Sequence, residues 1–247
     1  MKPMRVWLVV VAAVPTWLCA AGDNAWQSDN PDVACGAIYG LQRDNTDESR
    51  TILLSLLDHM HPAVRQEAAS AFYQTPWTNA LPKLMVLAAH DSHEGVRACA
   101  VMALGESRDA RCLPLLRLAL ADSSSRVRDR AGMALDQFDD IESVEPLLKA
   151  LADDNADVVF NAIRALGRRK GENIVRALLP FLERPERKIR VAAAHSIGRA
   201  TGKRNLADDP LLQTAEGGAV LRQRWGPTLT PTNTPSASAS ESEARTP

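Results

Sequence analysis

Between residues 64 and 197 the apolar side chains return on a ruler of about thirty-one residues. Val64, Val96, Val127, Val158 and Ile189 follow one another at steps of 32, 31, 31 and 31. Four positions after each stands Ala68, Ala100, Ala131, Ala162 or Ala193; seven after, Ala71, Ala103, Ala134, Ala165 or Ser196; eight after, Phe72, Leu104, Leu135, Leu166 or Ile197. Offsets of 0, 4, 7 and 8 fall on one face of an α-helix. Alanine in the middle of that face lets helices approach closely, and the larger residue at offset eight fills the space beneath. Upstream of each such helix lies a second apolar segment, "SRTILLSLL", "ALPKLMVLA", "CLPLLRLAL", "VEPLLKALA" and "IVRALLPFL". Pro82, Pro114 and Pro146 stand near the start of theirs, where the missing N–H costs nothing and the fixed φ favours helix entry. Each unit therefore reads as an antiparallel pair, helix A then helix B. Gly105, Gly167 and Gly198 follow the last core residue and are expected to take the left-handed position that ends a helix.

Running the ruler back from Val64 lands on Val33, with Ala37 at offset four, Gly40 at seven and Leu41 at eight. A leading half unit over 31–42 should supply one helix, because the end repeat of a stack has one side in water. The pattern predicts an all-α fold, an α-solenoid of helix pairs stacked into a curved array. Its repeats cover about 49–79, 80–111, 112–143, 144–173 and 174–205, and 206–225 forms a C-terminal cap or extension.

The consensus D-x-x-x-x-V-R-x-x-A-x-x-A-L-G, most complete from Asp91 to Gly105, resembles the HEAT-like repeat of the bilin-lyase type over residues 31–205. Three units depart from it: Asp136 replaces the glycine of repeat three, Val159 the arginine of repeat four, and Arg184 the aspartate of repeat five. In HEAT repeats, similar Asp and Arg residues form a ladder between neighbours. The resemblance therefore implies a structural ladder from Asp58, Arg65, Asp91, Arg97, Asp122, Arg128, Asp153 and Arg190. Asp153 has no arginine at the ladder position of its own repeat, and Arg190 no aspartate at its own. Pairing is expected to cross between repeats, with Asp153 reaching Arg128 or Arg190.

The two ends differ in composition from this middle. Met1 to Arg5 is basic, Val6 to Leu18 apolar, and Cys19-Ala20-Ala21 small, as in a secretory signal peptide over 1–21. The apolar run, interrupted by Pro15, is too short for a bilayer span of roughly 20 residues, so no membrane span is expected after cleavage. The mature chain would start near Gly22 in a periplasmic or secreted, extracytoplasmic setting. Residues 226–247 are rich in Pro, Ser and Thr and poor in large apolar groups, as in a disordered tail. Past the signal segment remain Cys35, Cys99 and Cys112, which allow one internal disulfide at most. Cys99 and Cys112 stand on consecutive antiparallel elements and could be bonded or separately buried; Cys35 should be free.

Among relatives of this repeat are bilin lyases and the iron-dependent deoxyhypusine hydroxylase, so an enzyme or enzyme subunit of lyase-like or metal-dependent type is the alternative to a binding role. The hydroxylase carries His-Glu pairs just after the Val-Arg of helix B. Here those places hold Gln66-Glu67, Ala98-Cys99, Asp129-Arg130, Phe160-Asn161 and Val191-Ala192, and His93-Glu94 comes five residues too early. The sequence also lacks a phosphate-binding glycine loop, a G-x-S-x-G elbow and a Cys-Cys zinc spacing. His59, His61, His90 and His93 fall in the turns of two adjacent repeats beside Asp58, Asp91 and Glu94. They are either a metal-binding set or polar turn residues in water. No cofactor or catalytic residue is expected.

Charge is unevenly placed. Residues 22–143 hold 11 basic and 18 acidic groups (11 − 18 = −7), and residues 144–205 hold 13 and 7 (13 − 7 = +6). The basic end suits an acidic protein or an anionic cell-envelope polymer; nucleic acid is not expected of an exported chain without interleaved aromatics. At offset six the helix-B column reads Tyr39, Ser70, Met102, Met133, Arg164 and His195, with Arg168 one turn after Arg164. This column is the expected binding surface, its methionines serving as an adaptable patch or as packing between repeats. The expectation is an exported, non-catalytic protein-binding scaffold.

Overall fold

A computed structural model describes residues 25–202 and 207–229. The expected signal peptide, 1–21, and residues 230–247 of the expected tail lie outside the described residues. The described residues form twelve α-helices joined by short turns, with no strand among them, and the chain is an all-α solenoid of helix pairs. It divides into two compact units, Met1–Phe138 and Asp139–Pro247.

In the first unit, α1 (Pro31–Asp44) stands alone, followed by the pairs α2 (Asp47–Leu56) with α3 (Pro62–Gln74), α4 (Leu81–His90) with α5 (Glu94–Glu106), and α6 (Leu113–Ala119) with α7 (Ser125–Leu135). The helix-B row α1, α3, α5 and α7 packs in sequence, each against the next. The helix starts follow from their residues. Pro31 and Pro62 open α1 and α3, Pro82 and Pro114 stand in the first turn of α4 and α6, and Asn30 and Thr46 cap with their side-chain oxygens. Three-residue 3₁₀ turns, Thr78–Ala80 and Ala110–Cys112, lead into α4 and α6.

The second unit holds α8 (Val144–Ala150) with α9 (Ala156–Leu166), then α10 (Glu172–Leu178) with α11 (Arg187–Thr201). Helix A of the last pair tightens into a 3₁₀ turn at Leu179–Glu183, which contains Pro180. The expected C-terminal cap is a helix, α12 (Ala215–Leu229), which continues through 226–229 into the stretch read as tail. It docks on the Leu179–Glu183 turn so closely that a Cβ on Gly218 would lie 1.6 Å from the Leu182 carbonyl oxygen.

The apolar ruler is the core. Every offset-zero and offset-four residue, from Val64 and Ala68 to Ile189 and Ala193, has no exposed surface. The offset-seven and offset-eight residues from Ala71 to Ile197 are exposed by 2 % or less. Burying each large member of these rows contributes about 1.5–3 kcal/mol relative to leaving it in water. The half unit departs from the ruler. Ala34 and Ile38 are buried on α1, whereas Val33 is 38 % exposed. Packed against α3, α2 and the Ala25–Gln27 turn, α1 is turned by one residue so that its larger Ile38 faces inward.

One local expectation is corrected. Gly105 lies inside α5 and Gly198 inside α11, while Gly167 ends α9 with a right-handed φ of −66°. The left-handed positions among the described residues belong to Asn45 and Arg108, with φ of 49° and 52°, and to Gly202. What Gly105 and Gly167 supply is contact. A Cβ on Gly105 would meet the Ala134 Cβ at 2.5 Å, and one on Gly167 the Ser196 Cβ at 2.5 Å. Glycine at offset nine thus receives the small offset-seven residue of the next repeat. Of the alternatives left open for cysteine, the structure has separate thiols: Cys35, Cys99 and Cys112 are free. Cys112 is buried with its sulfur 3.9 Å from the Ser107 hydroxyl, and burial pushes the Cys99 and Cys112 thiols up.

The Asp/Arg ladder crosses between repeats. Arg65 donates from Nε and Nη2 to Asp91 at 2.7 and 3.0 Å, and Arg97 likewise to Asp122 at 2.8 and 2.8 Å. Within its own repeat each arginine reaches backbone: Nη1 of Arg65, Arg97 and Arg128 donates to the carbonyls of His59, Asp91 and Asp122, six residues earlier. The aspartates meanwhile accept from the backbone N–H two residues on, Asp91 from His93, Asp122 from Ser124 and Asp153 from Asn155. Asp58, at the head of the register, pairs with Lys83. Arg190 is the exception in the second unit. Only 2 % exposed, it donates to four carbonyls, those of Arg184, Pro185, Leu212 and Gln213. The segment leading into α12 replaces the missing aspartate with backbone oxygens, so Arg190 is not the partner of Asp153.

Candidate binding groove

In the second unit, α9 and α11 present corresponding faces of neighbouring helices B, and a cavity of about 500 Å³ opens between them. Phe160 and Val191 stand at offset two of their repeats and Arg164 and His195 at offset six, so like positions face across the groove. Ala192 and Ser196 form the buried floor on the α11 side. On α11, Arg187, Val191, His195 and Arg199 recur every four residues and share one face. With Lys188, the lining holds four permanent cations, Arg164, Arg187, Lys188 and Arg199, and no carboxylate.

The cations are held in place to different degrees. The Arg164 guanidinium carbon lies 5.9 Å from the Phe160 ring centroid, a cation–π geometry on one helix. Arg199 donates to the Arg164 carbonyl at 3.3 Å, tying the two helices together at that end. At the other end, Lys188 pairs with Asp157 at 2.5 Å and Arg187 donates to the Gln213 side chain at 2.9 Å.

Of the residues expected on the binding surface, Arg164 and His195 line this groove; Arg168, exposed past the end of α9, does not. Phe160, Arg187, Lys188 and Arg199 were missed, although the four-residue spacing 187, 191, 195, 199 places a full stripe on α11. The members in the first unit keep the offset-six row open: Tyr39 is exposed, and Ser70, Met102 and Met133 are half-buried. Tyr39 donates to Glu67 at 3.4 Å, and the Glu67 charge raises its phenol pKa. Arg130 approaches the Met133 sulfur at 3.2 Å.

The histidine cluster is turn structure. His61 caps α3, its Nδ1 accepting from the Ala63 N–H at 3.3 Å, and His59 Nδ1 accepts from the His61 N–H at 3.0 Å. His90 ends α4 and His93 stands at the cap position of α5. Of the neighbouring carboxylates, Asp91 is engaged by Arg65 and Asp58 by Lys83, and among the described residues no three His, Cys, Asp or Glu side chains converge as a metal-binding set.

The sequence profile described as HEAT repeats matches residues 23–98, 81–161 and 144–224. The chain belongs to the HEAT-repeat family. No curated protein sequence matches it significantly. Its HEAT-repeat fold is shared with solved structures of low identity. YibA of Escherichia coli is similar at 18 % identity and TM-score 0.60 over 74 % of this chain and 71 % of that one. The complex of CpcE and CpcF of phycocyanin lyase from Nostoc sp. PCC7120 is similar at 20 % identity and TM-score 0.57 over 66 % of each chain. A designed armadillo repeat protein in complex with the peptide (KR)4 is similar at 19 % identity and TM-score 0.53 over 71 % of this chain and 96 % of that one. No helix among the described residues is long and apolar enough to cross a membrane.

Proposed function

We propose that this HEAT-repeat chain is an exported, non-catalytic protein-binding scaffold whose α9/α11 groove grips an acidic segment of its partner. The observation that carries this reading is the lining: four permanent cations around Phe160 and Val191, with no carboxylate among the lining residues and Lys188 paired with Asp157 at the edge. An open groove of this kind recognises chain rather than enclosing a small substrate, and no acid–base pair is assembled within it. The peptide complex of the designed armadillo protein supports peptide recognition by such stacked helices, while the charge here calls for the opposite ligand sign. The partner is a protein, not nucleic acid. Export rests on the basic, apolar and small-residue order of residues 1–21.

Fluorescence anisotropy with labelled decaglutamate and decalysine tests the groove. Decaglutamate is expected to bind and decalysine not, and Arg164→Glu with Arg199→Glu should abolish the difference; equal binding of both peptides sinks the reading. Sequencing the N-terminus of the cell-derived protein tests export. A start near Gly22 in an extracytoplasmic fraction is expected, and Met1 in the cytosol overturns it.

A further inference from the structure

The groove and the segment that follows α12 carry opposite charge. Past Leu229, residues 238–246 read Ser-Ala-Ser-Glu-Ser-Glu-Ala-Arg-Thr, which sets Glu241 and Glu243 among small side chains. Two residues apart in an extended chain, these carboxylates fall on the same face, about 6.6 Å from each other. Arg245, two further on, shares that face and matches Asp157, the carboxylate that pairs with Lys188 at the groove's edge. The complement lies along the α11 stripe. Arg187 and Arg199, about 18 Å apart along the helix, donate to neutral acceptors, the Gln213 side chain and the Arg164 carbonyl.

The connection is long enough to bring them together. Arg222 of α12 pairs at 2.9 Å with Glu183, four residues before Arg187, so the middle of α12 is anchored beside the turn that enters α11. Seven residues, about 10 Å of helix, run on from Arg222 to Leu229. Glu241 follows twelve residues later, up to about 40 Å of extended chain, which exceeds the helix end and the stripe together.

Resting on the acidic-partner reading, we propose that residues 238–246 of this chain occupy its own α9/α11 groove and compete there with the acidic segment of the partner. Tethering gives the segment an effective concentration of about millimolar order, so weak ion pairs suffice to fill the groove. The segment brings charge but no large apolar side chain, and it leaves Phe160 and Val191 uncovered. A partner that adds an apolar contact to its acids therefore displaces it, whereas a chain that offers acids alone must compete with the tethered segment on equal terms.

The test compares the full chain with its Glu241→Gln/Glu243→Gln variant, read by anisotropy of labelled decaglutamate. The variant is expected to bind at least about threefold more tightly, because a tethered competitor has been removed. Asp47→Asn with Glu48→Gln takes the same two charges from exposed positions on α2 and should leave the affinity unchanged. The NMR amide signals of Val191 and His195 should differ between the parent and the Glu241→Gln/Glu243→Gln variant, and those of α2 should not. Equal affinity, an equal gain from the α2 control, or a gain with no change at Val191 and His195 overturns the inference and leaves the acidic-partner reading in place. A parent mass that rises with concentration, and does not in the variant, would put the segment in the groove of a second copy and overturn the intramolecular contact. Failure of decaglutamate to bind any of the three chains overturns the acidic-partner reading, and the inference with it.

Discussion

Gly105 of α5 and Ala134 of α7 share one contact: a Cβ added to the glycine would lie 2.5 Å from the alanine Cβ and 2.8 Å from its Cα. The obstacle includes backbone, so no rotamer change relieves it and the two helices must separate. Gly105→Ala is expected to lower unfolding free energy by about 1–3 kcal/mol, the usual cost of overpacking, despite a helix-propensity gain of up to about 1 kcal/mol. Adding Ala134→Gly should recover part of the loss. Denaturant titration of the single and double variants checks this, and an unchanged single variant would contradict the contact.

Gly40 poses the opposite case. It lies in α1 with nothing within 4 Å of its would-be Cβ, so Gly40→Ala should stabilise by about 0.5–1 kcal/mol. Arg108 holds a φ of 52°, a conformation that costs a non-glycine residue about 1 kcal/mol, and Arg108→Gly should recover much of that. A lowered melting temperature in either variant would refute the corresponding account.

The Arg97–Asp122 rung is bidentate, with side chains 13 % and 14 % exposed. A double-mutant cycle of Arg97→Ala and Asp122→Ala is expected to show coupling of about 1–2 kcal/mol. Additivity within about 0.3 kcal/mol would mean that the ladder fixes geometry without stabilising.

Acid sensitivity follows from the same rungs. Burial pushes the Asp91 and Asp122 carboxyls up, but hydrogen bonds from Arg65 and Arg97 and from backbone N–H groups outweigh it, leaving both below the usual carboxylate value. A carboxylate lowered in the folded state binds protons more readily when unfolded. Its contribution is therefore complete above the ordinary carboxylate value near 3.8 and is lost as pH falls through the lower folded value. Asp91→Asn and Asp122→Asn should lower the melting temperature at pH 6, and their deficit against the parent should shrink steadily below about pH 4. A deficit independent of pH would assign the loss to shape rather than charge.

What the chain by itself determined is whatever repeats. A helix advances 100° per residue, so valine, alanine, alanine and leucine at offsets 0, 4, 7 and 8 had to share a face, and five copies at one period had to bury that face against each other. The helix pairs, the core rows from Val64 to Ile197 and the crossing of Arg65 to Asp91 were legible for that reason. Tertiary structure decided whatever lies at an end or between two helices. Val33 gave way to Ala34 and Ile38 because α1 packs against the Ala25–Gln27 turn as well as α2 and α3, surroundings that no repeat period specifies. Gly105 and Gly167 proved to be contact residues, which a rule about helix ends cannot distinguish, since closeness is a property of two helices. Arg190 found carbonyls of Leu212 and Gln213, whose placement depends on how α12 docks. The groove joined Phe160 and Arg164 to a stripe on α11 some thirty residues away, and its lining was decided by which helix faces the packing of α9 against α11 left open.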